Sequence, residues 1–159
     1  MSKFSLQASR VVAELVIFGS VLVTALAPAR AQTQDTSTLT VRITGARNTK
    51  GQIGVTLFQD AQGFPDDTSK ALRQQSVDID PSTMSAQVTF KDLPQDTFAV
   101  SVLHDKNGNG KMDKNFMGMP KEGYGASKNP KKQRRAPTFE GAKFSLNAAQ
   151  QTIDIKLIY

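Results

Sequence analysis

Beyond residue 38 the chain alternates apolar and polar positions with a period of two. Leu39, Val41 and Ile43 alternate with Thr40, Arg42 and Thr44. Ile53, Val55 and Leu57 alternate with Gly54, Thr56 and Phe58. The intervening Ala46–Gln52 stretch, with Asn48 and Gly51, has turn composition, so the two runs predict a hairpin. The same alternation recurs at Val77 and Ile79, from Met84 to Phe90, from Phe98 to Val102, at Phe144 and Leu146, and from Ile153 to Tyr159. About seven short strands, each with one apolar face, predict an all-β sandwich of two antiparallel sheets around a shared core. These strands are too short, and too interrupted, for the roughly 9–11-residue strands of a membrane barrel. Residues 64–74 instead predict at most one short helix, with Pro65 near its start and Asp66 or Asp67 as N-cap. One long polar segment, about residues 104–138, shows no period; loops of that length are usually functional or disordered.

The first thirty residues have a different character. Lys3 and Arg10 precede an uncharged apolar run from Leu15 to Ala27, and Ala29 and Ala31 stand at the −3 and −1 positions of a small-residue cleavage site. That is the three-part pattern of a secretory leader, and the run is short for a membrane span of roughly 20 residues. The division that follows is a leader over 1–31, a frayed tail over 32–38 and one β-sandwich domain over 39–159, not transmembrane once the leader is cut. The expected location is the periplasm or the exterior. The chain of 159 residues has no cysteine and a single histidine. Disulfides, thiolate nucleophiles and multi-histidine metal centres are therefore excluded. Lys3, Arg10 and Arg30 against Glu14 put a net +2 in the leader, which leaves +4 of the chain's formal +6 for the rest.

The long polar segment holds the candidate chemistry. With Asp105 as position 1, Asn107, Asn109, Gly110 and Asp113 fall at positions 3, 5, 6 and 9, and Lys111 at 7 offers its backbone carbonyl. This is the front half of a calcium loop, in which alternate residues of a tight curve turn their oxygens inward. At position 12, however, Phe116 stands where a bidentate Glu would be; Glu122 is the nearest acid able to close the shell. Two carboxylates and two amides predict weak binding, on the order of 10⁻⁴ to 10⁻³ M. The same residues also read as two turn dipeptides, Asn107-Gly108 and Asn109-Gly110, that need no ion.

His104, with Glu122, is a candidate acid–base pair, or else a histidine that orders the loop by hydrogen bonding. Tyr124 lies between Gly123 and Gly125, where backbone can approach closely. Lys128, Lys131, Lys132, Arg134 and Arg135 form a run without an acid. Such a run suits anionic lipid headgroups, an envelope polyanion or an acidic protein, or is simply a solvated loop. Nucleic acid is not expected, since no aromatics interleave the cations.

Several pieces in order resemble the bacterial family of exported proteins called DUF2141. They are Gly51-Gln52-Ile53 through Phe58, Phe64-Pro65, Phe90-Lys91-Asp92-Leu93-Pro94, His104 through Asp113, Gly118-Met119-Pro120-Lys121-Glu122-Gly123-Tyr124-Gly125, and Ala136 through Ala142. The resemblance covers nearly all of residues 39–159. It implies an immunoglobulin-like or prealbumin-like sandwich and bacterial export, and no particular activity. The family usually has Pro-Gly-x-Tyr after the Leu-Pro corner; here Gln95-Asp96-Thr97-Phe98 stands instead, which assigns the strained turn position to Asp96. The family usually has few cations between Ser127 and Pro137, so the basic run is a departure from it. The leading expectation is a non-enzymatic binding or structural module of the bacterial envelope, with calcium as the one candidate cofactor. Its rivals are a small hydrolase or isomerase using His104 and Glu122, and an assembly protein pairing through exposed strand edges.

Overall fold

The computed structural model of the chain describes residues 36–131 and 135–159. The proposed leader and two members of the basic run, Lys132 and Arg134, lie outside the described residues. Among the described residues eight strands form two sheets: β1 (Thr36–Thr44), β2 (Gln52–Phe58), β3 (Arg73–Val77), β4 (Ala86–Pro94), β5 (Asp96–Asp105), β6 (Gly123–Ala126), β7 (Phe144–Leu146) and β8 (Gln150–Lys156). The smaller sheet has the order β4-β1-β8; the larger runs β3-β2-β5-β6, with β7 on the β5 edge beyond β6. The fold is the all-β sandwich that the alternation predicts, and β1 already begins at Thr36, within the expected tail.

Period-two alternation explains the core. Leu39, Val41 and Ile43 from β1, Ile53, Val55 and Leu57 from β2, and Phe98, Val100 and Val102 from β5 are all buried in one cluster between the sheets. Burial of each such side chain contributes roughly 1.5–3 kcal/mol. Polar partners of the alternation sit outside; Arg42 and Asp154, for example, pair at 2.7 Å across the exposed face of β1 and β8.

Three expectations are corrected. First, β1 and β2 do not form a hairpin. β1 pairs with β4 and β8, β2 with β3 and β5, so the Ala46–Gly51 connection crosses from one sheet to the other. Both strands have their apolar face toward the same core, which opposed sheets satisfy as well as a shared one. Second, the pairs are not all antiparallel, because β1 and β8 run parallel from Thr38↔Gln150 to Thr44↔Lys156. The short helix allowed over 64–74 is a single 3₁₀ turn, Thr68–Lys70, capped by the Asp67 carboxylate on the Ser69 amide. Arg73 and Gln74 pair with Leu57 and Thr56 of β2, and the ladder takes the residues a longer helix would need. The Ser69 hydroxyl and amide hold the Asp67 carboxyl below the usual aspartate range. Among the described residues one α-helical turn forms, Phe139–Ala142, capped by Thr138.

Third, the left-handed residue near the Leu-Pro corner is Asp92 (φ 54°) rather than Asp96. Leu39 pairs with Phe90 and Ser37 with Leu93, so Lys91 and Asp92 together oppose Thr38. This is a β-bulge, and its extra residue takes the unusual conformation. Asp96 instead opens β5 in register with Leu146, its carboxylate accepting from the Thr97 amide.

Two close approaches fix the sandwich. Gly51 (φ +74°) lies against Asp105, where a Cβ would collide with the Asp105 carbonyl oxygen. At Gly125 a Cβ would come within 2.7 Å of Ile155 Cγ2, so the bare glycine lets β8 seat against β6. Beside the bulge, Ser37 Oγ is the one buried side-chain polar atom without a partner among the described residues. Two outcomes follow for chemical denaturation. Gly51→Ala lowers stability by about 2–3 kcal/mol, from backbone strain and the clash. Ser37→Ala raises it by about 1 kcal/mol, since it removes a desolvated hydroxyl without breaking a bond.

Candidate functional site

The faces of β2, β3, β5 and β6 that turn away from the core carry small and polar residues. Register places Ser76, Gly54, Leu103 and Tyr124 in one row across the sheet, and Gln74, Thr56, Ser101 and Ala126 in the next. Gly54 and the serines make a shallow floor. Loops raise walls around it: Pro65–Thr68 on one side, and parts of residues 110–120 and 135–137 on others. The result is a groove of about 700 Å³, within the roughly 300–1,000 Å³ of small-ligand sites. Ser101 Oγ donates to the Pro65 carbonyl at 2.9 Å and ties one wall to the floor. Phe64 packs edge-to-face between Phe58 and Phe139, beside a second small core of Ala99, Ala126 and Ala142. Buried Ser127 accepts from the Val100 amide and donates to the Ala142 carbonyl, fastening that end. Tyr124 is half-buried in the groove, and its hydroxyl has no hydrogen-bond partner among the described residues.

The long loop is built on carboxylates. Asp105, the last residue of β5, is 9% exposed. Its Oδ1 accepts from the Gly108 and Asn109 amides at 2.8 and 3.2 Å, and its Oδ2 from the Gly110 amide at 2.7 Å. Gly108 and Gly110 both take φ above +70°, which lets three consecutive amides turn onto one side chain. The Asp113 carboxylate receives the Asn107 and Asn109 side-chain amides at 2.9 and 3.0 Å. Glu122, 3% exposed, closes the base: Oε1 accepts from the Lys106 amide at 2.8 Å and Oε2 from the Asp113 amide at 3.1 Å. Further out, Lys114 and Pro120 bridge, and Asn115 Oδ1 accepts from the Met117 and Met119 amides, folding residues 114–120 into a small finger.

The calcium-loop residues are thus drawn together unequally. Asn107, Asn109 and Asp113 meet through their side chains, and Lys111 donates its amide to Asn109 Oδ1 at 2.8 Å. Asp105 gathers backbone, and Glu122 faces the loop base. Among the described residues no three His, Cys, Asp or Glu side chains are grouped to hold an ion. The donor set on offer is two carboxylates and two amides; Asp105 Oδ2 and both Asp113 oxygens accept one hydrogen bond each and keep a second lone pair, whereas Asp105 Oδ1 already accepts two.

His104 points into the sandwich, opposite Gly123, and is fully buried. Nε2 lies 2.9 Å from the Lys50 carbonyl, which only accepts, so Nε2 carries the proton. Nδ1 then accepts from the Tyr159 hydroxyl at 2.6 Å, and that oxygen accepts from the Arg47 amide at 3.0 Å. Arg47 also lies over the Tyr159 ring, 4.3 Å from its centroid. Both ring nitrogens are occupied, and no bond joins His104 to Glu122, so the pair expected for acid–base chemistry is not assembled. In the basic run, Lys128, Lys131 and Arg135 are exposed, and Arg135 lines the groove. Asn129 anchors this segment to β8 through the Asp154 carbonyl and the Lys156 amide. Sequence reasoning missed the groove; the only trace was the small outward residues at 54, 76 and 101.

Because Glu122 satisfies two amides from a buried position, Glu122→Ala lowers stability by about 2 kcal/mol and Glu122→Gln by about half as much. Amide hydrogen exchange speeds up over residues 106–121 in both, and the sandwich core keeps its protection. Tyr159→Phe costs about 1–2 kcal/mol in denaturant unfolding, because it strands His104 Nδ1 and the Arg47 amide.

A comparison with curated proteins found no match, and a comparison with solved structures found none either. The family model described as "Uncharacterized protein conserved in bacteria (DUF2141)" matches residues 41–154, from the middle of β1 into β8, and so takes in the groove floor, the carboxylate-built loop and buried His104. The chain belongs to the DUF2141 family.

Proposed function

We propose that the protein is an exported, non-enzymatic binding module of the bacterial envelope, and that the groove on the outer face of the larger sheet is its ligand site. The observation that carries this reading is the groove itself, floored by rigid strands and walled by loops that specific side chains hold in place. Tyr124 offers an aromatic face and a hydroxyl without a hydrogen-bond partner among the described residues, and Lys111, Lys114 and Arg135 line the same space. That chemistry suits an anionic envelope component. The engagement of both His104 nitrogens, and of Ser101 and Ser127 in backbone bonds, supports binding over the hydrolase or isomerase alternative.

Gly54 gives the test. A Cβ there meets only the Leu103 carbonyl, at 3.9 Å, so a side chain at 54 fills the groove without disturbing the core. Thermal-shift screening of acidic saccharides, phosphorylated headgroups and acidic peptides is expected to give a hit with the parent that Gly54→Phe loses at an unchanged midpoint. A hit bound equally by both proteins, or no hit at all, counts against the groove.

A second reading assigns calcium to Asp105, Asn107, Asn109, the Lys111 carbonyl and Asp113, with Glu122 beneath. Its support is the convergence of Asn107 and Asn109 on Asp113, which an ion would replace with oxygen contacts. At 5 mM calcium, affinity of order 10⁻⁴ to 10⁻³ M stabilises by about 1–2 kcal/mol. Calorimetric unfolding with calcium and with chelator should show that rise in the parent and none in Asp105→Ala. An equal midpoint in both conditions would leave the loop standing on its own hydrogen bonds.

A further inference from the structure

Among the described residues, the large hydrophobic side chains most exposed to solvent are not scattered. Phe116 is 97% exposed, Met117 69% and Met119 52%, and all sit at the tip of the finger over residues 114–120. Single exposed apolar residues are ordinary, but three within four positions are not. The tip is also held in shape. Asn115 accepts from Met117 and Met119 with its side chain and from Gly118 with its carbonyl, and its amide donates to Met119. The Lys121 amide then donates to the Asp113 carbonyl, and Glu122 locks the base. The sequence thus invests polar side chains in presenting apolar ones to water.

Exposed cations flank the tip: Lys111, Lys114 and Lys121 along the same loop, and Arg135 on the wall of the groove that Met119 also lines. The acids of the loop, Asp105, Asp113 and Glu122, are each engaged by amides of the loop itself. We propose that this finger is a membrane-inserting tip, which buries Phe116, Met117 and Met119 among the acyl chains of an anionic bilayer while the lysines meet its headgroups. The observations favour a bilayer over a second copy, because an isologous contact would bring the same lysines against each other. They favour it over a folded partner because a four-residue convex tip cannot supply the roughly 800 Å² that a stable interface buries on each side. The inference goes beyond the groove reading and does not depend on what the groove holds.

The chain has no tryptophan, so Phe116→Trp reports on the tip alone. The protein is used in the form the cell leaves it after any leader processing, with vesicles of phosphatidylglycerol or of phosphatidylcholine. Emission from the tip is expected to shift to shorter wavelength on phosphatidylglycerol and to be quenched by brominated acyl chains. Replacing Lys111, Lys114 and Lys121 together by Gln should raise the lipid concentration at half-shift on the order of a hundredfold, from about 1 kcal/mol for each cation near the surface. Three results would overturn the proposal: no shift at millimolar lipid, a shift of equal size on both lipids, or a shift that follows protein concentration without lipid, which would point to a second copy. Gly54→Phe in the same background should leave the shift intact, so failure of the groove and failure of the tip are read separately.

Discussion

Strand β5 places two neighbouring residues on opposite sides of one sheet, and much of the molecule is arranged around that step. His104 turns inward, where Lys50 and Tyr159 hold it and so join the start of β2 to the end of the chain. Asp105 turns outward and collects three amides, from which the long loop starts. The same strand pairs with β2 on one edge and with β6 and β7 in succession on the other. A one-residue slip of β5 would bury Asp105 and expel His104, so the register is fixed by chemistry as well as by hydrophobic packing.

The loop illustrates how a polar segment becomes structure without a hydrophobic core of its own. Glycines supply the left-handed turns, buried carboxylates supply acceptors, and asparagines supply local bonds. Hydrogen bonds to a charged acceptor are stronger than neutral ones, which offsets the ordering cost of so many residues. A cation, where one binds, acts on a loop whose path the side chains already define.

Much of this was legible from residue order. The period of two located most strands, because each must bury one face, and Asp67 was among the residues read as a cap. The Asp105–Asp113 spacing marked the segment where side chains converge. Strand partners were less legible. The pattern at Val41 and Val55 states that both face a core, but not that they face it from different sheets. The bulge at Asp92 follows from register against β1, which no local window contains. The groove escaped notice because it is a product of pairing: Gly54, Ser76 and Ser101 are far apart in the chain, and only the ladder sets them side by side. Phe116, legible as a missing calcium ligand, drew attention as an absence, although its exposure is the more informative property.

The parallel ladder between β1 and β8 bears on how the chain reaches its fold. Arg42 and Asp154, partners in that ladder, are 112 residues apart. A polypeptide emerging from its amino end therefore carries β1 with one edge open until almost the whole domain has followed. Closure of that sheet is a long-range event, slow compared with local turns. Until it happens, the open edge is available to other chains. The domain is thus built so that its last-made strand completes the sheet of its first-made strand, and a holding factor acting on the newly made chain would have most to protect along that single edge.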